Sequence, residues 1–167
     1  PRGLFFLFSV LGGDITVGND AKNRMIVWAE LNGGGNNIVL ARVSIDSGAL
    51  IDTTPQTISN TGQQYRLTPQ LAFDGKNTLV AWSELVGFSL AIFGTLIPDG
   101  EAAPLAAPFR IFDGSVFAWR PRVASAGANG FFVAWSQVAS AEFAYDIFGK
   151  IGRSDGTTLG ISPAGKV

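Results

Sequence analysis

The stretch NTLVAWSE, residues 77–84, decides how the chain is read, because RMIVWAE at 24–30 and FFVAWSQ at 131–137 repeat it. In each copy an apolar run leads to a tryptophan, a small residue and then Glu or Gln. Trp28, Trp82 and Trp135 stand 54 and 53 residues apart. The register extends upstream over VGNDAKNRMIVWAE (17–30), LAFDGKNTLVAWSE (71–84) and VASAGANGFFVAWSQ (123–137), the last longer by one residue. Self-similarity at such a period marks a repeat architecture, so the unit to be explained is the repeat rather than the whole chain.

Downstream of each tryptophan a second apolar run follows: NIVLARVSIDSG (37–48), LAIFGTLIPDG (90–100) and YDIFGKIGRSDG (145–156). Each ends in a turn, marked by Asp46 and Gly48, Asp99 and Gly100, or Asp155 and Gly156. A third run comes next, PQTIS (55–59) and PFRIF (108–112), and Pro69 or Pro121 opens the following copy. Each copy thus holds four short runs rich in Val, Ile, Phe, Leu and Trp, set off by Gly, Asn, Asp and Pro. In copy two, strand a is PQLAF (69–73), b is NTLVAWSE, c is LAIFGTLI (90–97) and d is PFRIF. Apolar alternation is weak in strand b, which suits a sheet covered on both faces.

Four antiparallel strands in a repeat of this length predict an all-β, β-propeller-like fold: three four-stranded antiparallel blades of about 53 residues. A β-trefoil is the structural alternative, since it fits the same length. The predicted division is an N-terminal strand over 1–14, repeats over 15–70 and 71–122, and an incomplete third repeat over 123–167. On this reading Trp28, Trp82 and Trp135 are structural, filling the space between neighbouring sheets.

Composition narrows the chemistry. A 167-residue chain that is 47% hydrophobic buries a real core. Twelve basic against thirteen acidic residues, with no run of either sign, give no footprint for nucleic acid. Cysteine and histidine are both absent, which removes disulfides, thiolate catalysis, Ser–His–Asp machinery and His-ligated metals. The longest apolar runs, such as LFFLF at 4–8, fall short of the ~18–20 residues of a membrane-spanning helix, so no membrane span is expected.

The two ends read as complements. Aligning SDGTTLGISPAGKV (154–167) on PDGEAAPLAAPFRIF (98–112) puts Val167 about where strand d forms, while LFFLFSV (4–10) sits before copy one at a strand-d position. PRGLFFLFSVLGG (1–13) could also pass for a signal-peptide core, but the strand reading uses it better. Pairing such ends would hide a sheet edge. Since propellers use about four to eight blades, self-association is expected, as a two-chain ring of six blades or head to tail.

If strands run a to d outward, the b–c and d–a loops share one face. That face would gather Glu30, Glu84 and Gln137 from the b strands, Phe88, Phe143, Tyr145 and Asp146 from b–c loops, and Tyr65, Arg66, Trp119, Arg120 and Arg122 from d–a crossings. Aromatics beside Arg and carboxylates predict a rim for a glycan or a surface protein; the plainer reading is that Glu and Gln bond loop backbone. No spacing singles out a glycosidase pair among four Glu and nine Asp, so no catalytic residue is assigned. Calcium is the one metal the composition allows, and DAKN (20–23) and DGKN (74–77) are better explained as tight turns than as calcium loops; no cofactor is expected. NGGGNN (32–37) reads as a flexible loop.

The stretch PQLAFDGKNTLVAWSE (69–84) followed by IFGTLIPDG (92–100) resembles the repeat of secreted and surface bacterial proteins that runs P-x-V-A-x-D-G-x-N-x-L-V-V-W, then D-I-x-G-x-R-V, then a D/A-G turn. GALIDTTPQTIS (48–59) is similar to the segment that follows that turn. The resemblance implies β-propeller blades in extracellular or cell-surface proteins, mostly without an assigned activity. Copy one lacks the Pro before Val17, copy three has ASAGANG (124–130) in place of Asp-Gly-x-Asn, and D-I-x-G is complete only at Asp146, Ile147 and Gly149. The function expected is a noncatalytic extracellular binding or scaffold module; the alternative is a structural subunit joined through its terminal strands, with a glycan-active enzyme ranked behind both.

Overall fold

The computed structural model describes residues 14–59, 62, 64–113, 117–127, 130–138, 145–154, 159–161 and 165–166. The expected N-terminal strand at 4–10 and the turn at Asp155 and Gly156 lie outside these residues. Every repeat folds as its own antiparallel sheet, with strands in chain order. The first sheet holds β1 (Ile15–Asn19), β2 (Asn23–Asn32), β3 (Gly35–Ser44) and β4 (Gln56–Thr57). The second holds β5 (Arg66–Phe73), β6 (Asn77–Val86), β7 (Ser89–Pro98) and β8 (Phe109–Phe112). In the third, β9 (Ala118–Ser125), β10 (Gly130–Val138) and β11 (Tyr145–Ser154) are followed by β12 (Leu159–Ile161) and β13 (Gly165–Lys166), both paired with β11.

Register makes the repeats superimposable. Lys166 and Gly165 pair with Phe148 and Gly149, the positions that Arg110 and Phe109 take against Phe93 and Gly94. The outer place in the third sheet is therefore taken by the chain's own residues 165–166. Among the described residues no strand pairs with a strand of another repeat, as a β-trefoil barrel would require, and no sheet closes on itself. No helix of the described residues is long and apolar enough to cross a membrane.

Local chemistry explains the turns. Asp20 Oδ1 accepts from the N–H groups of Lys22 and Asn23, and Asp74 Oδ1 from those of Lys76 and Asn77 at 2.9 and 2.8 Å. Such Asx turns close the a–b hairpins, with Gly75 supplying a φ of 101° that a side chain resists. At the third hairpin Ala126 stands where Asp20 and Asp74 stand, and Ser125 Oγ accepts from Gly127 N–H instead. The run NGGGNN is not a flexible loop: β2 continues to Asn32, β3 starts at Gly35, and Gly33 and Gly34, at φ 57° and 125°, make a two-residue hairpin.

The a strands begin earlier than Pro69 and Pro121 suggest, at Arg66 and Ala118. Proline offers no N–H to a ladder, and both ladders shift register at the proline. Thr68 and Arg120, each just before its proline, take φ of 52° and 53°, a bulge that lets pairing resume beyond it.

The sheets stack face to face. Met25, Val27, Ile38 and Leu40 of the first sheet pack with Val80, Trp82, Phe93 and Ile97 of the second. Leu79, Ala81, Ile92 and Leu96, on the other face of the second sheet, pack with Phe131, Val133 and Trp135 of the third. Each of these tryptophans thus faces the preceding sheet, while Trp28 is buried with Val39 and Ala41 in a smaller cluster on the first sheet's other face. Strand β6, covered on both sides, is buried from Asn77 to Glu84. At the inner edge a methyl on Gly18 would overlap Leu71 Cδ1, so the first two sheets approach closely there.

A polar seam joins the first two sheets at the periphery. Asp20 Oδ2 accepts from Gly100 N–H at 3.0 Å, and Asp99 Oδ1 from Ala21 N–H at 2.9 Å. Arg42 donates to the Gly100 carbonyl and clasps Asp52 through Nε and Nη2, both at 2.8 Å. The Arg42 hydrogen bond holds the Asp52 carboxyl below its ordinary range. Asp74 Oδ2, the counterpart of Asp20 Oδ2, is buried without a hydrogen-bond partner among the described residues.

Candidate functional site

Residues i and i+2 of a strand share a face, and in the second and third repeats this accounts for the spacing from tryptophan to Glu or Gln. Trp82 Nε1 donates to Glu84 Oε2 at 3.0 Å, and Trp135 Nε1 to Gln137 Oε1 at 3.1 Å. A buried indole N–H needs an acceptor, and the strand supplies one from its own next inward position. Arg66 lies directly opposite Glu84 in the ladder, and its Nε reaches Oε2 at 2.9 Å. Its Nη1 donates to the Asn36 carbonyl of the first sheet at 2.9 Å. In the third sheet Ala118 stands opposite Gln137, so no guanidinium needs a counter-charge and a neutral amide serves the indole.

Of the predicted rim residues, Arg66 and Glu84 are brought together but turned inward, at 1% and 7% exposure. Glu30 is half-buried at the matching position, paired in register with Asn37. Tyr65 is exposed, and its carbonyl accepts from Leu85 N–H at 2.9 Å. Asp146 is half-buried opposite Gln137. Phe88 stands fully in solvent on the β6–β7 turn, and Phe143 lies outside the described residues.

The exposed chemistry gathers on the third sheet. The Trp119 and Tyr145 rings lie 5.8 Å apart and tilted by 34°, and the Arg120 guanidinium carbon sits 4.4 Å above the Trp119 ring. The bulge places them: Trp119 enters β9 opposite Ser136, and the Arg120 N–H is held by Ser83 Oγ of the second sheet at 3.2 Å. Tyr145 opens β11 next door. Leu90, Phe117, Trp119 and Tyr145 line a hollow of about 230 Å³. Phe117 and Leu90 went unnoticed in the sequence; Phe117 matches Tyr65 in position, its carbonyl accepting from Val138 N–H as that of Tyr65 does from Leu85.

A second hollow of about 230 Å³ lies where the a strands converge, lined by Asp14, Thr68, Gln70, Arg120 and Arg122 among others. Asp14 Oδ2 accepts from Thr68 N–H there at 3.1 Å, tying the first sheet to the second. Chemically, the first hollow offers aromatic faces beside a cation, the second a polar lining. No protein-family model matches this chain, and no curated protein matches it either.

Proposed function

We propose that the chain is a noncatalytic binding module built of propeller-type blades, and that it holds a sugar ring or a similar small polar surface against Trp119 and Tyr145. The observation that carries this reading is the aromatic pair itself, partly open to solvent and flanked by Arg120. Sugar rings present C–H faces that pack on aromatic rings, while a guanidinium beside them donates to hydroxyls or a carboxylate. Glu84, expected on the rim, is buried and engaged by Arg66 and Trp82 rather than open to a ligand, which favours binding over turnover. The blade reading is supported by three sheets of like strand order stacked in sequence. An extracellular or cell-surface location follows from the resemblance of the repeats.

The test is a glycan array probed with the intact chain and with Trp119→Ala. Binding that falls at least tenfold in the variant, with its fold unchanged by circular dichroism, supports the reading. Binding unaffected by Trp119→Ala, or hydrolysis of a bound glycan, overturns it.

A further inference from the structure

We infer that the hollow where the a strands converge is a second binding site, suited to a small hydroxycarboxylate that carries one negative charge. It shares no lining residue with the aromatic hollow and does not rest on the glycan reading. The starting point is a repeat position. Three residues before Val17, Leu71 and Val123, which align between the copies, stand Asp14, Thr68 and Arg120. All three line the hollow, together with Gln70 and Arg122, which align with one another two residues further on. Each repeat thus delivers the same position to a common centre, and the chemistry there differs from copy to copy: a carboxylate, a hydroxyl and a guanidinium. Hydrogen bonds hold these groups in place across all three sheets. Asp14 Oδ2 accepts from Thr68 N–H, Thr68 Oγ1 and Ser83 Oγ are bonded at 3.2 Å, and Ser83 Oγ accepts from Arg120 N–H. The same bonds keep Thr68 and Arg120 in the left-handed backbone that residues other than glycine avoid, a conformation that persists where its surroundings impose it and that clusters at ligand sites.

Charge narrows the ligand. Arg42 and Arg66, which tie the first two sheets together, are each clasped by a carboxylate, Asp52 and Glu84. Arg120 and Arg122 are exposed and make no ion pair among the described residues; Arg122 donates to the Pro121 carbonyl at 3.1 Å, and Arg120 lies on the Trp119 ring. Two guanidinium groups against the one carboxylate of Asp14 leave the lining with a single positive charge. A monoanion neutralises that charge, whereas a phosphate dianion exceeds it, and the planar fork of arginine matches a carboxylate. The other groups suit hydroxyls. Gln70 commits its Nε2 to the Pro69 carbonyl at 2.8 Å, so its amide offers Oε1 as an acceptor, and Asp14 offers carboxylate oxygen. At about 230 Å³ the hollow is smaller than the ~300–1,000 Å³ of ordinary small-molecule pockets, which fits a single sugar acid or a shorter hydroxy acid.

The test titrates the intact, isotope-labelled chain with glucuronate, gluconate and lactate, and with glucose and inorganic phosphate as the neutral and dianionic comparisons. At least one of the hydroxycarboxylates is expected to saturate, moving the amide resonances of Thr68, Gln70 and Arg122 while those of Leu90 and Phe117, in the aromatic hollow, stay in place. Arg122→Gln should weaken that binding by about tenfold or more. Should the variant fail to fold, the resonances of the parent still locate the ligand. Saturation by none of the hydroxycarboxylates overturns the inference. So does glucose or phosphate bound as tightly, movement confined to Leu90 and Phe117, or a folded Arg122→Gln chain that binds like the parent. Since the two hollows have no lining residue in common, none of these results touches the Trp119→Ala test of the glycan reading.

Discussion

At the scale of single residues the molecule turns on Glu84. It takes a hydrogen bond from Trp82 and an ion pair from Arg66, within a region nearly closed to water. Truncating one member of a buried pair leaves the other charge without compensation, so Glu84→Ala should destabilise the fold by about 3–5 kcal/mol, read as a lower denaturation midpoint at constant slope. Glu84→Gln should cost less, because an amide still accepts from the indole, as Gln137 does from Trp135. Equal losses in the two variants would show that the indole bond contributes nothing. The recurrence of tryptophan with Glu or Gln was plain in the sequence; its cause was not. The indole acceptor depends on a shared pleat face, and Arg66 meets Glu84 only through a cross-strand register that the Pro69 bulge offsets.

Among the elements, four strands per repeat were legible because strand runs and turn residues are local signals. Where the a strands start was not legible, since Pro69 and Pro121 look like openers and the bulges at Thr68 and Arg120 that carry the strands past them leave no mark in composition. The rim was half legible for the same reason: Trp119, Arg120 and Tyr145 do converge, but Arg66 and Glu84 point inward and Phe117 joins from outside the repeat motif. Strands β1 and β5 approach closely at Gly18, where an added methyl would overlap Leu71 Cδ1. Gly18→Ala should cost about 1–3 kcal/mol by overpacking that seam. In a Leu71→Ala background the same change should cost markedly less, and a double-mutant cycle in chemical denaturation measures the difference. Additive losses would mean that the two residues do not press on each other.

For the whole molecule, stacking order is what single repeats cannot disclose. Each repeat has an apolar face on either side, and only the packing shows that the tryptophan face meets the preceding sheet. Among the described residues the middle sheet has a neighbouring sheet packed on each side, and β6 is buried along most of its length. Outer strands and end sheets have fewer neighbours and open more readily. Amide hydrogen exchange on the intact chain, resolved by peptide mass spectrometry, tests this stack most directly. It should find β6 and β7, residues 77–98, the slowest to exchange in the protein, and β1 and β4 among the fastest. Exchange in β6 and β7 as rapid as in β1 and β4 would contradict a second sheet held between the first and the third.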